Sequence, residues 1–160
     1  FQKPTVFESH TVCDNLEMAL KKRRGVFATL GYVAANDDIA RINEILDPIR
    51  LSARKADLAA GLSHGQKQWL EIGMLLAQDP KLLLLDEPVA GMTDSETVET
   101  AKLLKEIATT RSVVVVEHDM SFVRELGTRV SCLAEGSVLA EGTLDQVSAN
   151  PVVIERYLGR

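Results

Sequence analysis

The chain changes its apolar periodicity once. Up to about residue 78, apolar positions recur at helical spacing; beyond it, short apolar runs alternate with helical stretches. Over Thr11–Arg24, Val12, Leu16, Ala19 and Leu20 share one helical face. Lys21-Lys22-Arg23-Arg24 and then Gly25 read as a helix stop. Residues 25–36 carry no clear period and read as a loop. Asn36 is placed to cap a second helix, with Asp37 and Asp38 in its first turn. Ile39, Ile42, Ile45, Leu46 and Ile49 form its apolar stripe, with Pro48 near the end. Ser63-His64-Gly65-Gln66 has the form of a capping box. The helix it opens runs to about Gln78, with Trp69, Ile72, Leu75 and Leu76 expected to face inward, and Asp79-Pro80 stops it.

From residue 79 the pattern becomes strand–helix–strand. Leu82–Leu85 and Val113–Val116 read as buried parallel strands, the second entirely β-branched. Thr93-Asp94-Ser95-Glu96 is a second capping box, opening a helix to about Thr109. Asp119 caps a short helix to about Leu126. Val130–Leu133 and Val138–Ala140 flank a hairpin-like turn at Glu135-Gly136-Ser137. Two short helices are expected near 143–148 and 150–158. The alternation points to an α/β parallel sheet with an antiparallel hairpin.

Composition narrows the function classes. With 160 residues the chain fits one domain or a large part of one. Hydrophobic residues at 46% can build a core, and 26% charged residues keep it soluble. The net charge of −5 argues against nucleic acid as a partner. The longest apolar runs are far below the roughly 18 residues that a membrane span needs. Phe1-Gln2-Lys3-Pro4 lacks the order of a signal peptide. Cys13 and Cys132 belong to no motif and read as reduced and structural. His10, His64 and His118 show no metal-ligand spacing.

Three motifs carry chemistry. The first apolar strand ends abruptly in Asp86-Glu87-Pro88. Ligands of open parallel sheets bind beyond the carboxyl ends of strands, so Asp86 suits direct or water-mediated Mg²⁺ binding. Glu87, pointing elsewhere, suits polarisation of an attacking water; the plain alternative is a solvated turn. Upstream, Ser63 and the free N–H groups of the following helix start suit an anion, and Gly65 admits close approach of a phosphate. An ordinary capped helix explains the same residues. Downstream, His118 follows the second strand and is expected in the same crevice as Asp86; a lone histidine there is otherwise structural.

Taken in order, these motifs resemble the ABC ATPases. Ser63–Gln66 resembles the ABC signature, Asp86-Glu87 the Walker B pair and His118 the switch histidine. Gln2 resembles the Q-loop glutamine, which in that family contacts Mg²⁺ and water, and Val89–Asp94 occupies the D-loop. The resemblance implies an α/β fold: an incomplete P-loop NTPase (ABC ATPase) core with a mainly parallel sheet, plus an α-helical subdomain. It implies residues 1–78 as Q-loop and helical subdomain and residues 79–160 as the rest of the RecA-like core. It implies ATP and Mg²⁺ as cofactors, with Glu87 and His118 catalytic, and Asp86 and Gln2 at the metal. Gln2, Ser63, His64, Gly65, Gln66, Thr93 and Asp94 would bind the nucleotide. The implied partners are a second nucleotide-binding subunit, in a homo- or heterodimer, and transmembrane permease subunits docking near residues 3–30. No direct contact with the solute is implied, and the location is cytoplasmic, peripheral on the inner face of the membrane. Leu62–Leu76 with Asp86–Asp94 looks like the importer branch for branched-chain amino acids and urea.

Three departures from the family pattern matter. His64-Gly65 stands where Gly-Gly is usual. Thr93, a good helix cap, stands where the D-loop aspartate is usual, with Asp94 adjacent. No Gly-x-x-x-x-Gly-Lys-Ser/Thr occurs in these 160 residues. The chain therefore reads as a piece of a longer protein, expected to be inactive alone. Two other classes are weighed. A DNA-repair or chromosome-organising ABC ATPase would need long coiled coils between Gln2 and Ser63, and no sustained heptads occur there. A binding module without catalysis would act through the helical part alone.

Overall fold

Side-chain caps decide where most of the helices begin. In the computed structural model, which describes residues 5–21 and 36–158, the chain divides into two compact units, Phe1–Val116 and Glu117–Arg160. Helix α1 (Val12–Ala19) starts at a capping box in which Thr11 and Asp14 satisfy each other's backbone N–H groups. It stops five residues before the predicted Arg24. Leu20 leaves the helical region, with ψ 138, and the Gln78 side chain donates to the Ala19 carbonyl. The remaining basic residues, Lys22–Arg24, lie outside the described residues. Helix α2 (Asn36–Leu46) also ends before the predicted limit, because Pro48 disfavours helical backbone at the residue before it.

Helix α3 (His64–Ala77) opens on the predicted box of Ser63 and Gln66. The core of this unit is built from Val12 and Leu16 of α1, Ile42, Ile45 and Leu46 of α2, Ile49, Leu51, and Leu70 and Ile72 of α3. Ile39 and Leu75, both expected inside, are 47% and 40% exposed. The helices cross closely at Gly73, where a Cβ would lie 2.6 Å from Ile49 Cδ1 and 3.1 Å from Leu16 Cδ2. Buried Asn15 accepts from the Phe7 N–H at 2.8 Å and donates to the Phe7 and Thr11 carbonyls, tying residues 5–11 to α1.

Strand β1 (Leu82–Asp86) pairs in parallel with β2 (Ser112–Val116), Leu82 opposite Ser112 and Asp86 opposite Val116. Helix α4 (Asp94–Ala108) connects them, capped by Thr93 and Glu96. Inside, Trp69 Nε1–H donates to Thr100 Oγ1 at 2.8 Å, linking α3 to α4. The expectation of strands buried on both faces is corrected. Leu83 and Leu85 are buried, whereas Leu84 is 68% and Val116 62% exposed. Strand side chains alternate between faces, and in this structure only one face is covered.

In the second unit, Asp119 caps α5 (Met120–Leu126) by accepting from the Ser121 and Phe122 amides. Strands β3 (Val130–Ala134) and β4 (Ser137–Gly142) form the predicted antiparallel hairpin. Its turn residues Glu135 and Gly136 both have positive φ, 50° and 76°, which suits the tight hairpin turn that follows strand twist. Helices α6 (Leu144–Ser148) and α7 (Pro151–Val153) follow, and the chain continues in a π-helical turn, Ile154–Leu158.

Candidate active site

Asp86 is the last residue of β1 and is exposed. Glu87 follows with φ 48, a conformation that costs a non-glycine residue on the order of 1 kcal/mol. Its N–H donates to the Val116 carbonyl at 2.9 Å, so β2 holds the turn in place. Beyond it, Ala90 N–H donates to the Glu87 carbonyl and Met92 N–H to the Val89 carbonyl. Val89 is buried and anchors this turn. The two adjacent carboxylates are thus set apart by a backbone reversal rather than by strand alternation alone.

The start of α3 lies against this turn. His64 Nε2 is 3.0 Å from the Ala90 carbonyl. Ser63 Oγ donates to Glu96 Oε1 at 2.8 Å while accepting the Gln66 N–H. The other Glu96 oxygen accepts the Thr93 N–H and hydroxyl, both at 3.0 Å. Gly65 is buried beneath that carboxylate: a Cβ there would sit 2.6 Å from Glu96 Cδ. Gln66 is locked as well, its side-chain Oε1 accepting from Arg54 at 2.7 Å and from the Ser63 N–H. The Thr93 N–H and then the Ser63 hydroxyl hold the Glu96 carboxyl below its usual range. Two helix starts therefore share one anionic side chain, which the positive ends of both helices favour.

Of the predicted site residues, Ser63, His64, Gly65 and Gln66 are brought together with the turn that leads from Glu87 to Thr93. Asp94 is the first residue of α4 and exposed. His118 is the second residue of the second unit, two residues beyond the end of β2. Its neighbour Glu117 has a buried side chain that accepts the His118 and Asp119 amides, at 2.8 and 3.0 Å. Gln2 lies outside the described residues. Sequence reasoning missed Glu96 as a partner of Ser63, and Arg54 as the brace on Gln66. Glu96 was visible as a capping residue, but a contact across 33 positions leaves no local signal.

Among the described residues no group of three or more His, Cys, Asp or Glu side chains gathers to hold a metal ion. Mg²⁺ takes one or two protein carboxylates and fills its shell with water and substrate phosphates. An exposed Asp86 at a strand end fits that partial role. No helix among the described residues is long and apolar enough to cross a membrane.

Comparison with known proteins bears on these motifs directly. A family model described as ABC transporter matches residues 1–90. The chain is 32% identical to the high-affinity branched-chain amino acid transport ATP-binding protein LivG of Escherichia coli K12, over 99% of this chain and 66% of that protein. It is 30% identical to the high-affinity branched-chain amino acid transport ATP-binding protein BraF of Pseudomonas aeruginosa, over the same shares. It thus spans a little under two thirds of the length of these relatives. A nucleotide-free ATP-binding cassette from an ABC transporter superposes over all of this chain and 67% of its own, with a TM-score of 0.81 and 25% identity.

Proposed function

The chain belongs to the ABC transporter ATP-binding family, and on that premise we propose that it carries the hydrolytic and signature half of the ATP site of an importer. The observation that carries the proposal is the continuous path from Asp86-Glu87, through a hydrogen-bonded turn, to the capped start of α3. In this reading residues 1–78 form the Q-loop and helical subdomain, and residues 79–160 form part of the ATPase core. Two nucleotide-binding subunits sandwich ATP. Ser63, Gly65 and Gln66 meet the phosphates held by the other subunit, where free N–H groups at a helix start stabilise negative charge. Glu87 polarises the water that attacks the γ-phosphate in line, and the role of switch histidine falls to His118 by its resemblance to the family motif. Asp86, with Gln2, would hold Mg²⁺, which would supply positive charge to offset the charge developing on the phosphates.

A phosphate loop of the form Gly-x-x-x-x-Gly-Lys-Ser/Thr is not among the 160 residues. Backbone N–H groups and a lysine of that loop supply most of the hold on the β- and γ-phosphates. The isolated chain is therefore expected to show no micromolar binding of MgATP in calorimetry, and a micromolar dissociation constant would contradict this.

Partners follow from the same reading: a second nucleotide-binding subunit and permease subunits, with the chain peripheral on the inner face of the membrane. The solute is a branched-chain amino acid or urea. The relatives support the first, and the local pattern over Leu62–Leu76 and Asp86–Asp94 supports the second. Uptake of labelled leucine and urea by cells with and without the gene separates them. Loss of neither refutes the importer reading.

A further inference from the structure

We infer that His64 is a positioning residue that couples the start of α3 to the turn before α4; this rests on reading Ser63–Gln66 as a nucleotide-facing signature. The Ala90 carbonyl can only accept, so the imidazole nitrogen 3.0 Å away carries the proton. The same ring lies flat enough against the turn that a Cβ at Gly91 would meet its Cδ2 and Nε2 at 3.6 Å. A second strut runs beside it, from the Ser63 hydroxyl to Glu96. One strut joins the first residue of α3 to the middle of the turn. The other joins the cap of α3 to the capping box of α4. Glycine at position 64 keeps only the second.

With both struts, a displacement of the signature reaches Ala90, and from Ala90 the hydrogen-bonded turn leads back to Glu87. The signature and the turn after the Asp86-Glu87 pair then approach a nucleotide as one piece. A loose turn would have to be ordered at each closure, which lowers the population of closed, hydrolysing sites rather than the affinity of the open ones. His64 is exposed, so removing it leaves the core intact.

The test uses the full-length protein as the cell makes it, His64→Gly and His64→Gln against wild type. Steady-state ATP hydrolysis is measured across ATP concentration, with hydrogen exchange read at the Ala90 and Met92 amides, which close the turn. Loss of one hydrogen bond predicts kcat down about fivefold in His64→Gly, KM within about twofold, and turn exchange up about fivefold. The thermal midpoint is expected to hold. His64→Gln, whose amide N–H reaches the same carbonyl, is expected to restore both rate and protection. Wild-type kcat and exchange in His64→Gly overturn the inference, as does a loss that His64→Gln leaves unrescued. A wild-type protein without ATPase activity refutes the reading of the site instead, and the exchange data still decide whether His64 holds the turn.

Discussion

Glu96 closes two helix starts at once, and that double duty makes it titrate unusually. Its carboxyl is held below the ordinary value of 4.5, first by the Thr93 N–H and then by the Ser63 hydroxyl. Asp14 and Asp119 are lowered in the same way, by the Thr11 hydroxyl and by the Phe122 amide respectively. A carboxyl whose folded pKa is depressed adds stability above its unfolded pKa and loses it as pH falls through the folded one. Glu96→Gln keeps the capping geometry, because glutamine serves at the same position, but removes the titration. Stability by urea unfolding between about pH 5 and pH 3 is expected to fall less steeply in Glu96→Gln than in wild type. Equal slopes would show that the carboxylate is not held by these bonds. Elsewhere, burial first and then Asp14 push the Cys13 thiol up, leaving it a poor nucleophile at neutral pH.

Among helices and strands, caps were legible in the sequence, and so were the ends of α3, α4 and α5, each within one residue of its expected limit, whereas the end of α1 was not. Ser63-x-x-Gln66, Thr93-x-x-Glu96 and Asp119 each announce a helix within four residues. The end of α1 depends on Gln78, 59 positions away from the carbonyl it satisfies, whereas the local signal, a basic run followed by Gly25, points to an end at Arg24. Apolar side chains likewise show that an element has an inner face without showing that its outer face is covered; Leu82, Leu84, Val114 and Val116 are exposed for that reason. Packing of the first unit depends on a crossing that a glycine permits. Gly73→Ala forces a methyl against Ile49 and Leu16 and is expected to destabilise by about 1–3 kcal/mol in urea unfolding. A neutral effect would mean that the crossing yields. Trp69→Phe removes the donor to Thr100 and is expected to cost about 1 kcal/mol in the same assay.

At the scale of the molecule, the α/β architecture followed from the alternation of short apolar runs with helical stretches, and the family from motif order: signature, acidic pair, then histidine. The family's parallel-sheet ATPase fold is what the superposition gives over the whole chain. The division into compact units falls between Val116 and Glu117, whereas the proposed subdomain boundary at 78/79 follows the change in apolar periodicity; the two divisions describe different things. The struts joining signature and turn lay beyond sequence reasoning, because each links residues 26 or more positions apart. Activation by Glu87 of the water that cleaves ATP is read out by ATP hydrolysis and MgATP binding of the full-length protein with Glu87→Gln, which keeps size and polarity but removes the base. Hydrolysis is expected to fall about 10²-fold or more with MgATP affinity retained. A Glu87→Gln protein that hydrolyses ATP at the wild-type rate would contradict it.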